Sequence, residues 1–269
     1  MSNATTSRTS IAHLSAKKRA GEKWPMLTCY EQITAGIFDE AGIPVLLVGD
    51  SAGNNFLGEE NTIPVTVDEM IPLARAVVRG SSKALVVADF PFGSYESGPE
   101  TAVQTGIRFF KEAKVQAVKL EGGRKVVPQI LALIAAGIPV MGHLGLTPQS
   151  VHALGGFKVQ GRGDDAERIK ADARALQEAG CFALVLELVP EELATAISRE
   201  LTIPVIGIGA GAGCDAQVLV WTDLMGMTSA RPRLAKAYRD IRSQMIDATR
   251  EWASDVVTGQ FPSEEQTFH

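Results

Sequence analysis

The stretch Val45-Leu46-Leu47-Val48-Gly49-Asp50-Ser51 decides how the rest of the chain is read. It is a short apolar run, β-branched at both ends, that stops at an acid and a hydroxyl. A strand of a parallel sheet, buried on both faces, reads as a continuous apolar run rather than an alternation. The residues that follow, Ala52-Gly53-Asn54-Asn55, are loop chemistry, so Asp50 falls at the carboxyl end of the strand. The same grammar recurs in Val86-Val87-Ala88-Asp89, Ala117-Val118-Lys119-Leu120-Glu121, Val140-Met141-Gly142-His143 and Leu184-Val185-Leu186-Glu187. In a (β/α)8 barrel such strand ends converge on one mouth, where active sites are built.

Working outward, the pattern predicts an α/β chain, a single-domain (β/α)8 TIM barrel over residues 1–269. A polar tail with a helical piece at Ile11–Ala20 occupies residues 1–23. The expected strands are Met26–Tyr30, Val45–Gly49, Ala84–Ala88, Ala117–Leu120, Pro139–Gly142, Ala183–Leu186, Pro204–Ile208 and Val220–Met225. Helices are expected at Gln32–Ala41, from Thr66 to about Val78, at Glu100–Glu112, Val126–Ala136, Asp165–Ala179 and Glu191–Glu200. A seventh, barely long enough to count, falls near Asp215–Val218, and the last runs from Leu234 to Val257. Gly42 and Gly137 read as helix stops, and Thr66-Val67-Asp68-Glu69 as a capped helix start. The segment between His143 and Asp165 is rich in glycine and lacks strand or helix periodicity; residues 144–163 read as an active-site lid.

A length of 269 residues suits one barrel, and 45% hydrophobic with 21% charged residues supplies a large core. The net charge of −5 argues against nucleic acid and against an anionic membrane surface. Three widely spaced cysteines, Cys29, Cys181 and Cys214, offer neither a disulfide framework nor a CxxC metal site, which suits reduced thiols in the cytoplasm. The first ten residues lack the apolar core of a signal peptide, and no apolar run approaches a membrane span.

The strand ends carry the chemistry. Asp50 and Asp89 each fit a turn or helix cap taken singly; with Glu121 they place three acids at one mouth, which suits a hard divalent cation. Lys119 and Glu121 flank Leu120 and so share one side of their strand. Lys119 reads equally as an anchor for a carboxylate or enolate and as half of an internal salt bridge. His143 fits a hydrogen-bond donor to substrate or a satisfied structural histidine. Glu187 follows a strongly apolar run, and partial desolvation there favours base work; a metal ligand or cap is the alternative. The run Gly207-Ile208-Gly209-Ala210-Gly211-Ala212-Gly213 resembles a nucleotide fingerprint only superficially, because no long helix follows; phosphate binding and close backbone packing both remain open.

Taken together, Val48–Ser51, Ala88-Asp89-Phe90-Pro91-Phe92, Val118–Gly123, Gly142-His143-Leu144-Gly145-Leu146-Thr147-Pro148-Gln149, Gly156–Gly163 and Ile203–Gly211 resemble the ketopantoate (3-methyl-2-oxobutanoate) hydroxymethyltransferase family. The resemblance runs from Thr28 to His269. It implies a (β/α)8 barrel that uses Mg2+ to transfer a one-carbon unit from 5,10-methylenetetrahydrofolate to C3 of 2-oxoisovalerate (3-methyl-2-oxobutanoate). The product would be 2-dehydropantoate, formed through a metal-stabilised enolate in pantothenate biosynthesis. It further implies a cytoplasmic homo-oligomer, often a homodecamer. By motif, Asp50 and Asp89 correspond to Mg2+ ligands and Glu121 to an acid holding metal-bound water. Ser51 and Lys119 correspond to ketoacid-binding groups, His143 to a substrate-pocket residue and Glu187 to the proposed base. Met227–Tyr238 departs from the Pro-Lys-Phe-containing pattern of the family.

Two rivals stand beside this reading. One is a Mg2+-dependent carbon–carbon lyase or phosphomutase of the related ketoacid barrels, for which a lid cysteine would speak; residues 144–163 contain none. The other is a non-catalytic barrel scaffold, against which the intact Asp50, Asp89, Lys119 and Glu187 speak.

Overall fold

The computed structural model describes residues 7–228 and 232–269. Eight short segments pair as parallel strands in the order in which they occur: β1 (Trp24–Thr28), β2 (Val45–Val48), β3 (Leu85–Asp89), β4 (Ala117–Glu121), β5 (Val140–Gly145), β6 (Ala183–Glu187), β7 (Val205–Ile208) and β8 (Ala216–Leu219). β8 pairs back onto β1, with Trp24 opposite Ala216 and Leu27 opposite Leu219, so the sheet closes into a barrel. This is the (β/α)8 barrel that the repeated strand-end grammar predicts.

Alternate strand residues fill the lumen. Trp24, Met26, Val45, Leu47, Leu85, Val87, Ala117, Met141, Ala183, Val185, Ile206, Ala216 and Val218 form one buried apolar cluster. Ile11 and Leu14 of the N-terminal helix α1 (Ile11–Ala20) join it, and Leu14 is fully buried. Eight of the cluster's strand residues are the first or second of their strands, so α1 plugs the end of the barrel opposite the carboxyl ends. The other strand face, including Leu46, Val86, Val118, Leu120 and Leu184, is equally buried. That two-sided burial is why these strands read as unbroken apolar runs.

The helices between the strands are α2 (Gln32–Glu40), α3 (Val67–Gly80), α4 (Pro99–Arg108, continued by a π turn at Phe109–Ala113), α5 (Val127–Ala135), the one-turn α6 (Val151–Leu154), α7 (Asp165–Glu178) and α8 (Glu191–Glu200). The expected cap is present: the Thr66 hydroxyl accepts from Glu69 N, and the Glu69 carboxylate accepts from Thr66 N. Gly42 and Gly137 follow α2 and α5 with φ of +82° each, the left-handed stop their positions predict.

Residues from Val220 to His269 form a second compact unit. It contains the short α9 (Trp221–Leu224) and the long α10 (Ile241–Thr258), whose N-terminus is capped by Asp240 accepting from Ser243 N. No residue of α10 is buried, although Met245, Trp252, Val256 and Val257 are apolar.

The expectations for the eighth unit are corrected. Val220–Met225 is not the eighth strand: Trp221–Leu224 is helical, and the strand is Ala216–Leu219, where a seventh helix was expected. β8 alternates buried Ala216, exposed Gln217 and buried Val218, so it lacks the continuous apolar run of its neighbours. The more apolar segment just beyond it carries the misleading signal. β5 also runs three residues further than expected, to Gly145, because it stays paired with β6 as far as Glu187. In the expected tail, residues 1–6 lie outside the described residues, as do Ser229–Arg231 of the stretch that departs from the family pattern.

Candidate active site

The polar residues continue the apolar rows of the lumen two residues at a time. Val87 leads to Asp89, Ala117 to Lys119 and then Glu121, Met141 to His143, and Val185 to Glu187. A strand side chain returns to the same face every second residue, so all five turn inward at the carboxyl ends. Parallel register places Asp89 beside Lys119 and Glu121 beside His143. Asp50 enters two residues beyond the end of β2, and its backbone N–H donates to Asp89 Oδ2 at 3.1 Å.

The site residues expected from the sequence are thus brought together. Lys119 Nζ lies 2.9 Å from Asp89 Oδ1 and 3.2 Å from His143 Nδ1. His143 Nδ1 is also 3.3 Å from Glu121 Oε1, and its Nε2 is 3.3 Å from Glu187 Oε2. The Nε2–Glu187 approach is close enough for an ion pair but not aligned as a hydrogen bond. Asp50, Asp89, Lys119, Glu121 and His143 are all buried, while the Glu187 side chain keeps 17% of its surface exposed. Ser51, half-buried, shares a 2.9 Å hydrogen bond with the Tyr30 hydroxyl.

Burial sets the electrostatics. It pushes the Asp50 carboxyl up to about 8, with repulsion from Asp89 and Glu121 adding to it against the pull of Lys119. Burial also raises Asp89 above the usual carboxylate range, although Lys119 opposes it. Burial and Lys119 both disfavour the His143 imidazolium, yet the contacts to Glu121 and Glu187 outweigh them and raise it to about 9. Lys119 is raised despite its burial, because Asp89, Glu121 and Asp50 surround it. Four carboxyl groups face one ammonium and one imidazole, an excess of potential negative charge in a desolvated space.

A divalent cation fits that excess. Among the described residues no group of three or more His, Cys, Asp or Glu side chains is arranged to hold a metal ion by itself. Mg2+ commonly takes only one or two carboxylates and fills its remaining positions with water and substrate oxygens. Asp50 and Asp89 answer that description as adjoining acids, the Asp50 N–H resting on Asp89 Oδ2, while Glu121 is turned to His143 and the Gln149 backbone N–H. The chain also leaves room: a Cβ on Gly49 would stand 2.7 Å from Ser51 Oγ and 3.4 Å from Asp89 Oδ2. Glycine at this inward position keeps open the space that a larger side chain would fill.

Two participants were not singled out from sequence. Gln149 closes a family-like motif without a chemical signal of its own, and Tyr95 lies in a Gly/Pro-rich loop that offers none. Both are buried among the acids. Beyond β5 the chain turns at Gly145 (φ +93°), where a Cβ would stand 2.1 Å from Glu187 O, so only glycine fits. The far arm of the same loop returns to the strand end, with Gln160 N donating to Leu188 O. Leu188, next to Glu187, holds a left-handed φ of +46°, uncommon for a non-glycine residue. Val159, Arg162, Val189, Glu192, Leu193 and Gly209 help to line an adjoining cleft of about 690 Å³. The Gly207–Gly213 run is a packing device: a Cβ at Gly211 would strike Glu191 and one at Gly213 would strike Thr195. β8 follows it directly, with no helix to receive a phosphate.

A closed (β/α)8 barrel with convergent carboxylates, an ammonium and an imidazole at the carboxyl ends of its strands defines an α/β-barrel enzyme. Within that class, the chain belongs to the ketopantoate hydroxymethyltransferase family, whose family model matches residues 8–264. The 3-methyl-2-oxobutanoate hydroxymethyltransferase of Saccharopolyspora erythraea is 58% identical over 97% of this chain and 89% of its own length. Those of Rhodococcus jostii and Mycobacterium ulcerans are each 57% identical, over 97% and 99% of this chain and 91% of their own lengths. Among solved structures, a phosphonopyruvate hydrolase in complex with oxalate and Mg++ superposes with a TM-score of 0.61 at 12% identity, covering 95% of this chain and 92% of its own. A 2,3-dimethylmalate lyase of the PEP mutase/isocitrate lyase superfamily superposes at 0.60 with 16% identity, covering 97% and 92%. At such identities these two show the shared fold alone.

Proposed function

We propose that the chain transfers a hydroxymethyl group from 5,10-methylenetetrahydrofolate to 3-methyl-2-oxobutanoate, giving 2-dehydropantoate, with Mg2+ as its cation. The observation that carries this reading is the convergence of Asp50, Asp89, Lys119, Glu121, His143 and Glu187 at one barrel mouth in a chain of this family. Asp50 and Asp89 would hold the cation, and Glu121 would act at one remove, through water. Bound there, Mg2+ would supply Lewis-acid stabilisation of charge developing on the keto oxygen.

The chain's own residues do the rest. Glu187, the most solvent-accessible of the site acids, takes the proton from C3 of the ketoacid. The Lys119 ammonium balances the negative charge of the resulting enolate. Ser51 and His143 orient the ketoacid by hydrogen bonding. The C3 carbon then bonds to the methylene carbon of the folate, and both carbon–nitrogen bonds of that methylene break. Water supplies the hydroxyl of the new hydroxymethyl group, and the proton from C3 and the second water hydrogen end on the two nitrogens of tetrahydrofolate. The cleft beyond Glu187 gives the folate an approach, since it is far larger than a ketoacid of eight heavy atoms needs. Residues 144–163 form the lid that shields the enolate from water.

The assembly is proposed to be a cytoplasmic homo-oligomer, with the decamer as the family's pattern. The apolar side chains on the unburied α10 support association of copies. Among the described residues no helix is long and apolar enough to cross a membrane.

The test is product formation from 2-oxoisovalerate and methylenetetrahydrofolate, followed in a coupled assay with and without Mg2+. Mg2+-dependent appearance of 2-dehydropantoate is expected. Cleavage of a dicarboxylate, or no turnover at all, would return the choice to a lyase or a scaffold.

A further inference from the structure

Resting on that reading of Asp50 and Glu121, we infer that Gln149 is the positioning residue that sets the acid cluster and couples it to the loop after β5. Gln149 lies in a short 3-10 turn, Pro148–Ser150, and is 6% exposed. Its amide nitrogen donates to Asp50 Oδ2 and to Phe90 O, each at 2.8 Å. Its Oε1 accepts from the Tyr95 hydroxyl at 2.7 Å, and its backbone N–H donates to Glu121 Oε2 at 3.1 Å. One residue thus touches the carboxyl ends of β2, β3 and β4 while belonging to the loop that leaves β5.

The chemistry of the amide fixes its orientation. A glutamine side chain offers two donors and a carbonyl; here the donors meet Asp50 Oδ2 and the Phe90 carbonyl, which can only accept, and the carbonyl meets the Tyr95 hydroxyl. Flipping it would press Oε1 against the Phe90 carbonyl, an acceptor, at 2.8 Å. Tyr95 completes the arrangement. With one hydroxyl proton it favours Gln149 Oε1 at 2.7 Å over Glu121 O at 3.2 Å, and it lies 3.3 Å from Glu121 N as an acceptor. Burial raises the Tyr95 phenol well above its ordinary range, so it stays a donor.

The consequence concerns which oxygens are left for a ligand. Asp50 and Glu121 repel each other, and Gln149 holds one oxygen of each. Gln149 takes Asp50 Oδ2, so Oδ1 is the oxygen it leaves to a ligand, and Glu121 Oε1 faces His143. Gln149 touches no reacting atom, so its influence passes through the two carboxylates. It acts on ground-state binding of the cation and ketoacid more than on proton transfer by Glu187.

The test uses Gln149→Met, which keeps the volume and removes the amide, and Tyr95→Phe, which removes only the hydroxyl. Gln129→Met serves as a control, because Gln129 is also buried and donates to Tyr95 O, with no hydrogen bond to the acids among the described residues. Binding of 2-oxoisovalerate in the presence of Mg2+ is read by calorimetry. Partners behind metal ligands contribute about 10–100-fold, so Gln149→Met should weaken binding by roughly that factor. Tyr95→Phe should shift it less and in the same direction, and Gln129→Met should leave it near wild type whatever its melting temperature. In turnover, Gln149→Met should raise KM for the ketoacid far more than it lowers kcat. Wild-type binding in Gln149→Met, or an equal loss in Gln129→Met, would overturn the inference. Absence of Mg2+-dependent binding in the wild type would overturn the parent reading along with it.

Discussion

His143 Nε2 lies 3.3 Å from Glu187 Oε2, joining the carboxylate on β6 to the acid cluster on β3 and β4 through a single ring. The other nitrogen, Nδ1, is 3.2 Å from Lys119 Nζ and 3.3 Å from Glu121 Oε1. One nitrogen cannot accept from Lys119 and donate to Glu121 at once, so the two contacts belong to different protonation states of the ring. The imidazolium serves Glu121 and Glu187, and a neutral ring serves Lys119. A proton arriving at Glu187 therefore has a titratable neighbour.

Glu187 stands across that ring from the acid cluster, so its proposed role as base can be tested apart from the proposed cation ligands. Glu187→Gln keeps the size of the side chain and should leave Mg2+ and 2-oxoisovalerate binding nearly intact. Loss of a positioned general base should slow C3 proton removal by roughly 10²–10⁴-fold. Solvent deuterium entry into C3, followed by NMR, measures this directly. Equal exchange in wild type and variant would exclude Glu187 as the base.

Asp89 carries a double load, because its carboxylate faces Lys119 and also accepts from Asp50 N. Asp89→Asn should abolish most of the Mg2+ dependence of ketoacid binding. It should also lower stability, since removing one partner of a buried pair costs about 3–5 kcal/mol when the other charge is stranded. Asp50 and Glu121 remain near Lys119, so the loss should fall below that range. Calorimetry with and without Mg2+, together with denaturant midpoints, distinguishes the two effects. Unchanged Mg2+ dependence would remove Asp89 from the ligand set.

Much of this site was legible before any coordinates. Asp89, Lys119, Glu121, His143 and Glu187 share the lumen face because strand parity follows from sequence spacing alone, and Asp50 announces itself where an apolar run stops. The eighth strand was not legible. Its register is imposed by closure against Trp24–Leu27, and Gln217 points away from the core. Gln149 and Tyr95 were not legible as partners, because loop residues have no periodicity and their roles arise only when three strand ends meet.

The lid expectation has a specific anchor. Leu146 N donates to Glu187 O and Gln160 N to Leu188 O, so both arms of residues 144–163 hang on the strand end that bears Glu187. Between them Phe157 is 66% exposed, a large apolar side chain with little cover. Mg2+ and ketoacid should slow amide exchange across 151–159 by ordering that span, while α7 should change little. Unchanged exchange at saturating ligand would remove the lid from the mechanism.

The charge balance also predicts how stability follows pH in the metal-free protein. His143 is raised from 6.5 to about 9, so its stabilising contribution is full below 6.5 and is lost as pH rises through 9. Asp50 is raised from 3.8 to about 8, so the folded state holds a proton that the unfolded chain releases, and stability falls from 3.8 up to 8. The two act in the same direction, and between pH 6.5 and 8 they act together. Thermal or denaturant midpoints of the EDTA-treated protein should therefore decline across that window. His143→Asn should remove the part of the decline that continues above pH 8, where Asp50 is already ionised. Saturating Mg2+ with ketoacid should flatten the part due to Asp50, because a bound cation favours the ionised carboxylate in the folded state. A midpoint that rises between pH 6.5 and 8 in the absence of metal would mean that His143 and Asp50 do not sit in the electrostatic balance described for them.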